Sequence, residues 1–424
     1  MSKRRVIEWG KNVLILLLLV SAVWLVTLTP LVQDSGLTDL LSSREDRIED
    51  DGTVVLGAAA HPSRMAVMGP AGRYGVQYDR DTVDRLFART GSLLGECLTS
   101  AGKPENMTEA RWQLNLSRNG IYFDFGRGIP LSALGSWLHP EGACALEGTA
   151  RRILLTEGGD DRVALCWQDE EDGQFYVCTT ELTLSLHLEP LVNAEEGNGA
   201  RFAFELEKEY PLLHPYTLVT DVEGAAVCAG SNPLLFGYTV DELLGDLSFS
   251  DNNSVPINGG VAYLEGTARL EVKDNGVVIY SDGHEQKYSV AKKDSEPTVA
   301  ELIEAARQLA EGTIGRHCGE ARLYLESVRE TEEGCLIRFG YRLNGSAVWL
   351  YEDGWAAQVL LREGCISEFT LRFRAYTVTE ERLMLLPMDR AAAILPGLTK
   401  ERCELVLQYS DDGSRRVIPG WMAA

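Results

Sequence analysis

From Asn12 to Val32 the chain runs through 21 residues, NVLILLLLVSAVWLVTLTPLV, without one ionisable side chain. At about 1.5 Å of rise per residue this makes roughly 31 Å of helix, enough to cross a hydrocarbon core of ~30 Å. A cleaved export signal also has a basic start and an apolar middle, but that middle is about 7 to 15 residues long and ends in a small-x-small site. Thr29-Pro30-Leu31-Val32-Gln33 offers no such site. The stretch therefore reads as an uncleaved, single-pass transmembrane helix. Lys3, Arg4, Arg5 and Lys11 stand before it against Glu8, whereas Asp34 to Asp51 is mostly acidic. The positive-inside rule then keeps residues 1–11 cytoplasmic as a tail and makes the bulk of the chain extracytoplasmic. Within the bilayer, Ser21 and Thr27 could hydrogen-bond a neighbouring helix, and Ser21-Ala22 could let one approach closely, although GxxxG is missing.

The net charge is −23, and the first eleven residues contribute four bases and one acid, +3, which leaves −26 for the remainder. Such a chain is a poor match for nucleic acid, whose binding rests on neutralising phosphates with Lys and Arg. The acidity reads instead as a soluble, non-sticky surface. Nine cysteines are scattered beyond the apolar stretch with no CxxC or CxC pair, so they form neither a disulfide scaffold nor a zinc framework. One pair is placed by local pattern. Arg162 to Gln168 and Phe175 to Glu181 read as two strands, and a three-residue loop at Glu171-Asp172-Gly173 would set Cys166 opposite Cys178. Either a cross-strand disulfide or two buried free thiols fits that placing.

Residues 33–52 form an acidic linker, and globular composition starts at about Thr53. The remainder divides into a first α+β unit at 53–190, a middle β-rich unit at 191–294 and a C-terminal unit at 295–424. Asp81 to Leu98 has helical apolar spacing, while Trp112 to Phe125 alternates as WQLNLSRNGIYFDF and reads as a hairpin on Asn119-Gly120. Thr298-Val299-Ala300-Glu301 is a capping box opening a helix with Gly312 as its stop. Strand patterns with short turns then follow up to Ala375, which indicates an antiparallel meander, with a short helix near 387–395. The fold class is α+β: tandem domains of antiparallel sheet with packed helices behind one membrane helix.

No GxSxG, HExxH, GxGxxG or Walker-type loop occurs. His284 lacks a second histidine at zinc-ligand spacing and His317-Cys318 lacks a nearby third ligand, so no catalytic, cofactor or metal site is assigned. Acidic clusters such as Asp169 to Asp172 sit where turns are expected, and turns select Asp and Gly for backbone reasons.

Four passages resemble the YycH/YycI family, membrane-anchored accessory proteins of a cell-wall two-component system in Gram-positive bacteria. They are the basic start and anchor, Lys3 through Val32; Gly120-Ile121-Tyr122-Phe123-Asp124-Phe125 with Ile129-Pro130-Leu131; Tyr263 to Leu270 running into Asn275 to Ser281; and the capped helix from Thr298 through the meander to Val417-Ile418-Pro419-Gly420-Trp421. The chain is long enough for three outer units, which favours the YycH branch. The resemblance implies a regulator and not an enzyme: its membrane helix would pack on those of a sensor histidine kinase, and its outer domains would join a sister YycI-like membrane protein. The alternative is an extracytoplasmic module binding wall polymer or peptide, or, further off, a wall hydrolase.

Overall fold

The computed structural model describes residues 60–222, 224–283, 286–290, 296–351 and 353–424. The expected cytoplasmic tail, membrane helix and linker lie outside the described residues, as does His284. No helix among the described residues is long and apolar enough to cross a membrane.

The first sheet is built from β1 (Arg64–Gly69), β2 (Gly72–Gln77), β3 (Glu105–Met107), β4 (Gly120–Pro130), β5 (Thr149–Glu157), β6 (Arg162–Asp169) and β7 (Phe175–Thr183), in the order β2-β1-β4-β5-β6-β7-β3. Asp79 caps α1 (Arg80–Thr99) by accepting from the Thr82 N–H. The stripe Val83, Leu86, Phe87, Leu94 and Leu98 of α1 is buried with one face of the sheet, as its spacing predicts. The helix α3 (Leu131–Leu138) packs beside α1.

The hairpin expected over Trp112 to Phe125 is half helix. Thr108 accepts from the Arg111 N–H and opens α2 (Glu109–Asn115), which places the fully buried Trp112 against Phe175 and Tyr216 on the other face of the sheet. The alternation WQLN was too short to separate the two periods, and the capping threonine decides it. Gly120 does begin a strand, but Asn119 is tied to β5, where the Thr156 hydroxyl donates to its carbonyl.

Two short helices, α4 (Leu184–His187) and α5 (Glu189–Val192), and a two-stranded ribbon, β8 (Arg201–Phe202) with β9 (Leu218–Val219), lead to a second sheet of 13 strands. These are β10 (Ala225–Ser231), β11 (Ser254–Ile257), β12 (Gly260–Glu265), β13 (Ala268–Lys273), β14 (Val277–Ser281), β15 (Arg322–Thr331), β16 (Gly334–Leu343), β17 (Ser346–Leu350), β18 (Ala357–Arg362), β19 (Cys365–Arg372), β20 (Ala375–Leu383), β21 (Leu405–Asp411) and β22 (Arg416–Ala423). Helices α6 (Val240–Asp246), α7 (Val299–Gly312) and α8 (Met388–Leu398) accompany it. The Thr298 capping box is present, although Gly312 is the last helical residue and Thr313 the cap.

Two expectations about this region are corrected. The division at 294/295 separates no sheets, because β14 pairs with β19 and β10 with β20 and β22. The meander also departs from simple order. One part of β16 (Cys335–Phe339) pairs with β18 and the next (Tyr341–Leu343) with β17, which turns away to lie parallel to β21. Short turns fixed β15 to β16 and β18 to β19, but sequence carries no signal for the long-range partner of β17. One apolar core runs through both sheets, from Met65 and Phe123 to Phe339 and Tyr409, so the units are not separate beads. Helix α7 contacts α3 across them, where the Trp137 indole donates to Glu304 at 2.9 Å.

The Cys166–Cys178 expectation is corrected too. Cys166 lies opposite Val177 and Cys178 opposite Leu165, so the thiols occupy opposite faces of the first sheet and both are free. The loop holds four residues, Glu170 to Gly173, because the Asp169 carboxylate accepts from the Glu171 and Asp172 N–H groups and Asp169 pairs with Gln174. Adding one residue to the loop shifts the register by one and turns one cysteine over.

Candidate functional site

A cluster of buried charge lies where the first sheet meets the second. Arg64 on β1, Asp124 on β4 and Arg152 on β5 are cross-strand neighbours in one row. In a regular strand Arg151 would point to the opposite face from Arg152. Pairing of β5 with β6 skips Arg151, since Ala150 faces Asp169 and Arg152 faces Gln168. That bulge swings Arg151 to the same side, so two consecutive arginines reach one place. Glu404, immediately before β21 and hydrogen-bonded through its backbone to Ala424, is inserted among them from the second sheet.

The contacts are dense. Arg64 pairs with Glu404 and lies 3.5 Å from Asp124. The Arg151 Nε donates to Asp124 at 3.0 Å and its Nη2 to Glu404 at 2.5 Å, while Arg152 reaches Glu404 at 3.3 Å. Burial alone would raise the Glu404 carboxyl, but Arg64 and Arg151 outweigh it and hold it at about 2. Burial likewise opposes ionisation of Asp124, and Arg151, Arg64 and Arg152 overcome it, keeping it well below the usual carboxylate range. Isolated ions in such surroundings would be costly, so the ions are tolerated because each charge faces an opposite one, although the Arg64 and Arg152 Nε groups find no hydrogen-bond partner among the described residues.

Next to this cluster is a cleft of about 320 Å³, lined by Arg64, Arg127, Arg151, Arg342, Glu404 and the rings of Tyr78, Tyr324 and Trp349. Arg342 reaches from β16 across the junction and donates to the carbonyls of His61 at 3.1 Å and Phe125 at 2.8 Å. Its guanidinium lies over Tyr324 at 4.5 Å. Gly340 makes that arrangement possible, because a Cβ there would come within 2.6 Å of the Tyr324 ring. Burial lowers the Arg342 pKa to about 10, only partly offset by Tyr324 and Asp124. Among the described residues, no carboxylate lies within 4.0 Å of it. On the far side Tyr78 holds a left-handed backbone, φ +58°, rare for a bulky residue, and its hydroxyl accepts from the Leu407 N–H at 3.0 Å. A second tie between the sheets joins Asp84 of α1 to Arg322 of β15 at 2.6 Å and to His61 at 2.9 Å.

Chemically, the site offers fixed guanidinium groups and aromatic faces. No cluster of three or more metal-ligating side chains occurs among the described residues. The residues singled out from sequence are elsewhere: Lys3, Arg4, Arg5, Lys11, Ser21, Ala22 and Thr27 lie outside the described residues, and Cys166 and Cys178 flank the first sheet. Sequence reading missed Asp124, Arg151, Arg152, Arg342 and Glu404. The signal was present in part, since Asp124 interrupts the apolar run GIYFDF and Arg151-Arg152 heads the apolar strand ILL.

No family model matches the chain, and no curated protein matches it. Among solved structures it is similar to the crystal structure of YycH from Bacillus subtilis, with a TM-score of 0.53 at 12% identity, covering 87% of this chain and 97% of that one. The fold is therefore that of YycH, as the resemblance in sequence led one to expect. A dehydratase domain of a mycocerosic acid synthase-like polyketide synthase aligns over 66% of this chain and 96% of that one, at 9% identity, with a TM-score of only 0.14, and carries no argument.

Proposed function

We propose that this chain, which carries the YycH fold, is a non-enzymatic, membrane-anchored regulator of a sensor histidine kinase that controls cell-wall metabolism. The observation that carries the reading is the fold likeness over 87% of the chain. The uncharged stretch Asn12 to Val32 behind a basic tail agrees with it. In this reading the protein is held in the cell membrane of a Gram-positive bacterium with its bulk extracytoplasmic. Its membrane helix packs on the kinase's helices, Ser21, Ala22 and Thr27 facing the contact, and its outer sheets meet a sister YycI-like protein. A partner that binds two kinase states unequally shifts their equilibrium, and coupling of about 1 to 3 kcal/mol is typical. Packing and hydrogen bonds between helices supply energies of that order.

The test is co-purification of the kinase from membranes with three forms: the full chain, residues 1–52 alone, and a chain with Asn12 to Val32 replaced by an unrelated spanning helix. Capture by the first two and loss with the third supports the reading. No capture by any form removes it and directs attention to wall polymer or peptide as the ligand of the outer sheets.

A further inference from the structure

We propose that the junction cleft is a binding site for a small organic carboxylate, whose carboxylate group sits on Arg342 and whose body lies against Tyr324 and Trp349. The inference goes beyond the regulatory reading and does not depend on it. Three observations carry it.

The first is charge. Around the cleft five guanidinium groups, of Arg64, Arg127, Arg151, Arg152 and Arg342, face three carboxylates, of Asp124, Glu326 and Glu404. With the Ala424 main-chain carboxylate, which also lines the cleft, counted as a fourth acid, that is an excess of one positive charge in a chain whose net charge is −23. A positive cleft on an acidic protein concentrates anions where the rest of the surface repels them.

The second is unused donor capacity. Arg342 has five N–H groups, and its two hydrogen bonds go to carbonyls. The Arg64 Nε, on a side chain only 5% exposed, finds no hydrogen-bond partner among the described residues. The remaining edge of a planar guanidinium matches the two oxygens of one carboxylate. Phosphate would bring a second negative charge beside Glu404, which favours the singly charged group.

The third is shape. At about 320 Å³ the cleft is at the small end of ligand sites, room for a few heavy atoms beyond the carboxylate. Trp349 of β17 stands half-exposed with its ring packed against Gly354, and lines the cleft together with Met422. An apolar body placed there covers the Trp349 ring, which otherwise faces water.

The experiment is calorimetric titration of the full chain in detergent with N-acetylalanine, N-acetylalaninamide and inorganic phosphate. The proposal expects saturable binding of N-acetylalanine, none of the amide, and weaker binding of phosphate. Arg342→Gln should weaken the carboxylate by at least about tenfold. Because Arg342 also bridges the sheets, Trp349→Ala is the second variant: its side chain is half-exposed, so the fold stays intact while affinity falls several-fold. Arg390→Gln, on an exposed arginine of α8, should bind as the unaltered chain does. Equal binding of acid and amide, full binding by both R342Q and W349A, or no saturable heat with the carboxylate would each overturn the proposal. Tighter binding of phosphate would overturn the ligand class.

Discussion

Replacing Glu404 by Gln tests whether the two sheets are held together by the buried charge cluster. Glu404 is 5% exposed and faces Arg64, Arg151 and Arg152. At the 3.3 Å separation of Arg152, one pair attracts by about 5 kcal/mol at an effective dielectric constant of ~20, before desolvation is counted. Desolvation removes most of that gross figure for the intact set. Glu404→Gln, however, leaves three guanidinium groups in the protein interior with Asp124 alone, and breaking one side of a buried ionic set costs about 3 to 5 kcal/mol. Glutamine keeps one acceptor oxygen, which places the expected loss near the lower end, about 3 kcal/mol. The assay is urea unfolding of the full chain beside E404Q and a control, Glu401→Gln, on an exposed neighbour. The expected result is a lower midpoint for E404Q alone, with faster amide exchange in β1 and β21 together. Adding Arg151→Met should cost E404Q less than it costs the unaltered chain, since the two share one network. A loss below about 1 kcal/mol, or equal losses for E404Q and E401Q, would refute the reasoning.

Three further outcomes follow from the same structure. Burial pushes the Asp84 carboxyl up, but hydrogen bonds with His61 and Arg322 bring it from 3.8 to about 2. A lowered carboxylate pKa gives stability that is complete above the unfolded value and lost as pH falls through the folded one. Urea midpoints should therefore drop between about pH 4 and pH 2, with Asp84 responsible for about 2 kcal/mol and Asp84→Asn flattening that part of the profile. Gly340→Ala should cost about 1 to 3 kcal/mol by displacing Tyr324 from beneath Arg342, and calorimetric unfolding that leaves stability unchanged would contradict it. Burial pushes the Cys166 and Cys178 thiols up to about 12, so iodoacetamide should modify the partly exposed Cys144 and Cys403 first, whereas a 166–178 cross-linked peptide in mass spectra would contradict the strand register.

Local signals in the sequence are legible where neighbours a few positions apart set the structure. The Thr298 capping box, the α1 stripe and the short turns between β15 and β16 and between β18 and β19 are each of this kind. The departures arise where a distant contact, one extra residue or a helix cap inside an alternating run decides. Asp169 widens its loop and reverses Cys178 relative to Cys166; β17 leaves its neighbours for β21; and Thr108 turns an alternating run into α2. The charge cluster was the least legible part, because Arg64, Asp124, Arg151 and Glu404 are separated by up to 340 positions. Only the fold brings them within hydrogen-bond reach. A lone acid or arginine in an apolar strand marks that something pairs with it, without saying what.

The regulatory account is tested most directly by the autophosphorylation rate of the sensor kinase in lipid nanodiscs, alone, with the full chain, and with the chain whose Asn12 to Val32 segment is exchanged for an unrelated helix. Coupling of about 1 to 3 kcal/mol corresponds to a change of about 5- to 150-fold. The account predicts a change of at least about fivefold with the full chain and a return toward the kinase-alone rate with the exchanged helix. Identical rates in all three preparations, with the proteins shown to share the same discs, would contradict it.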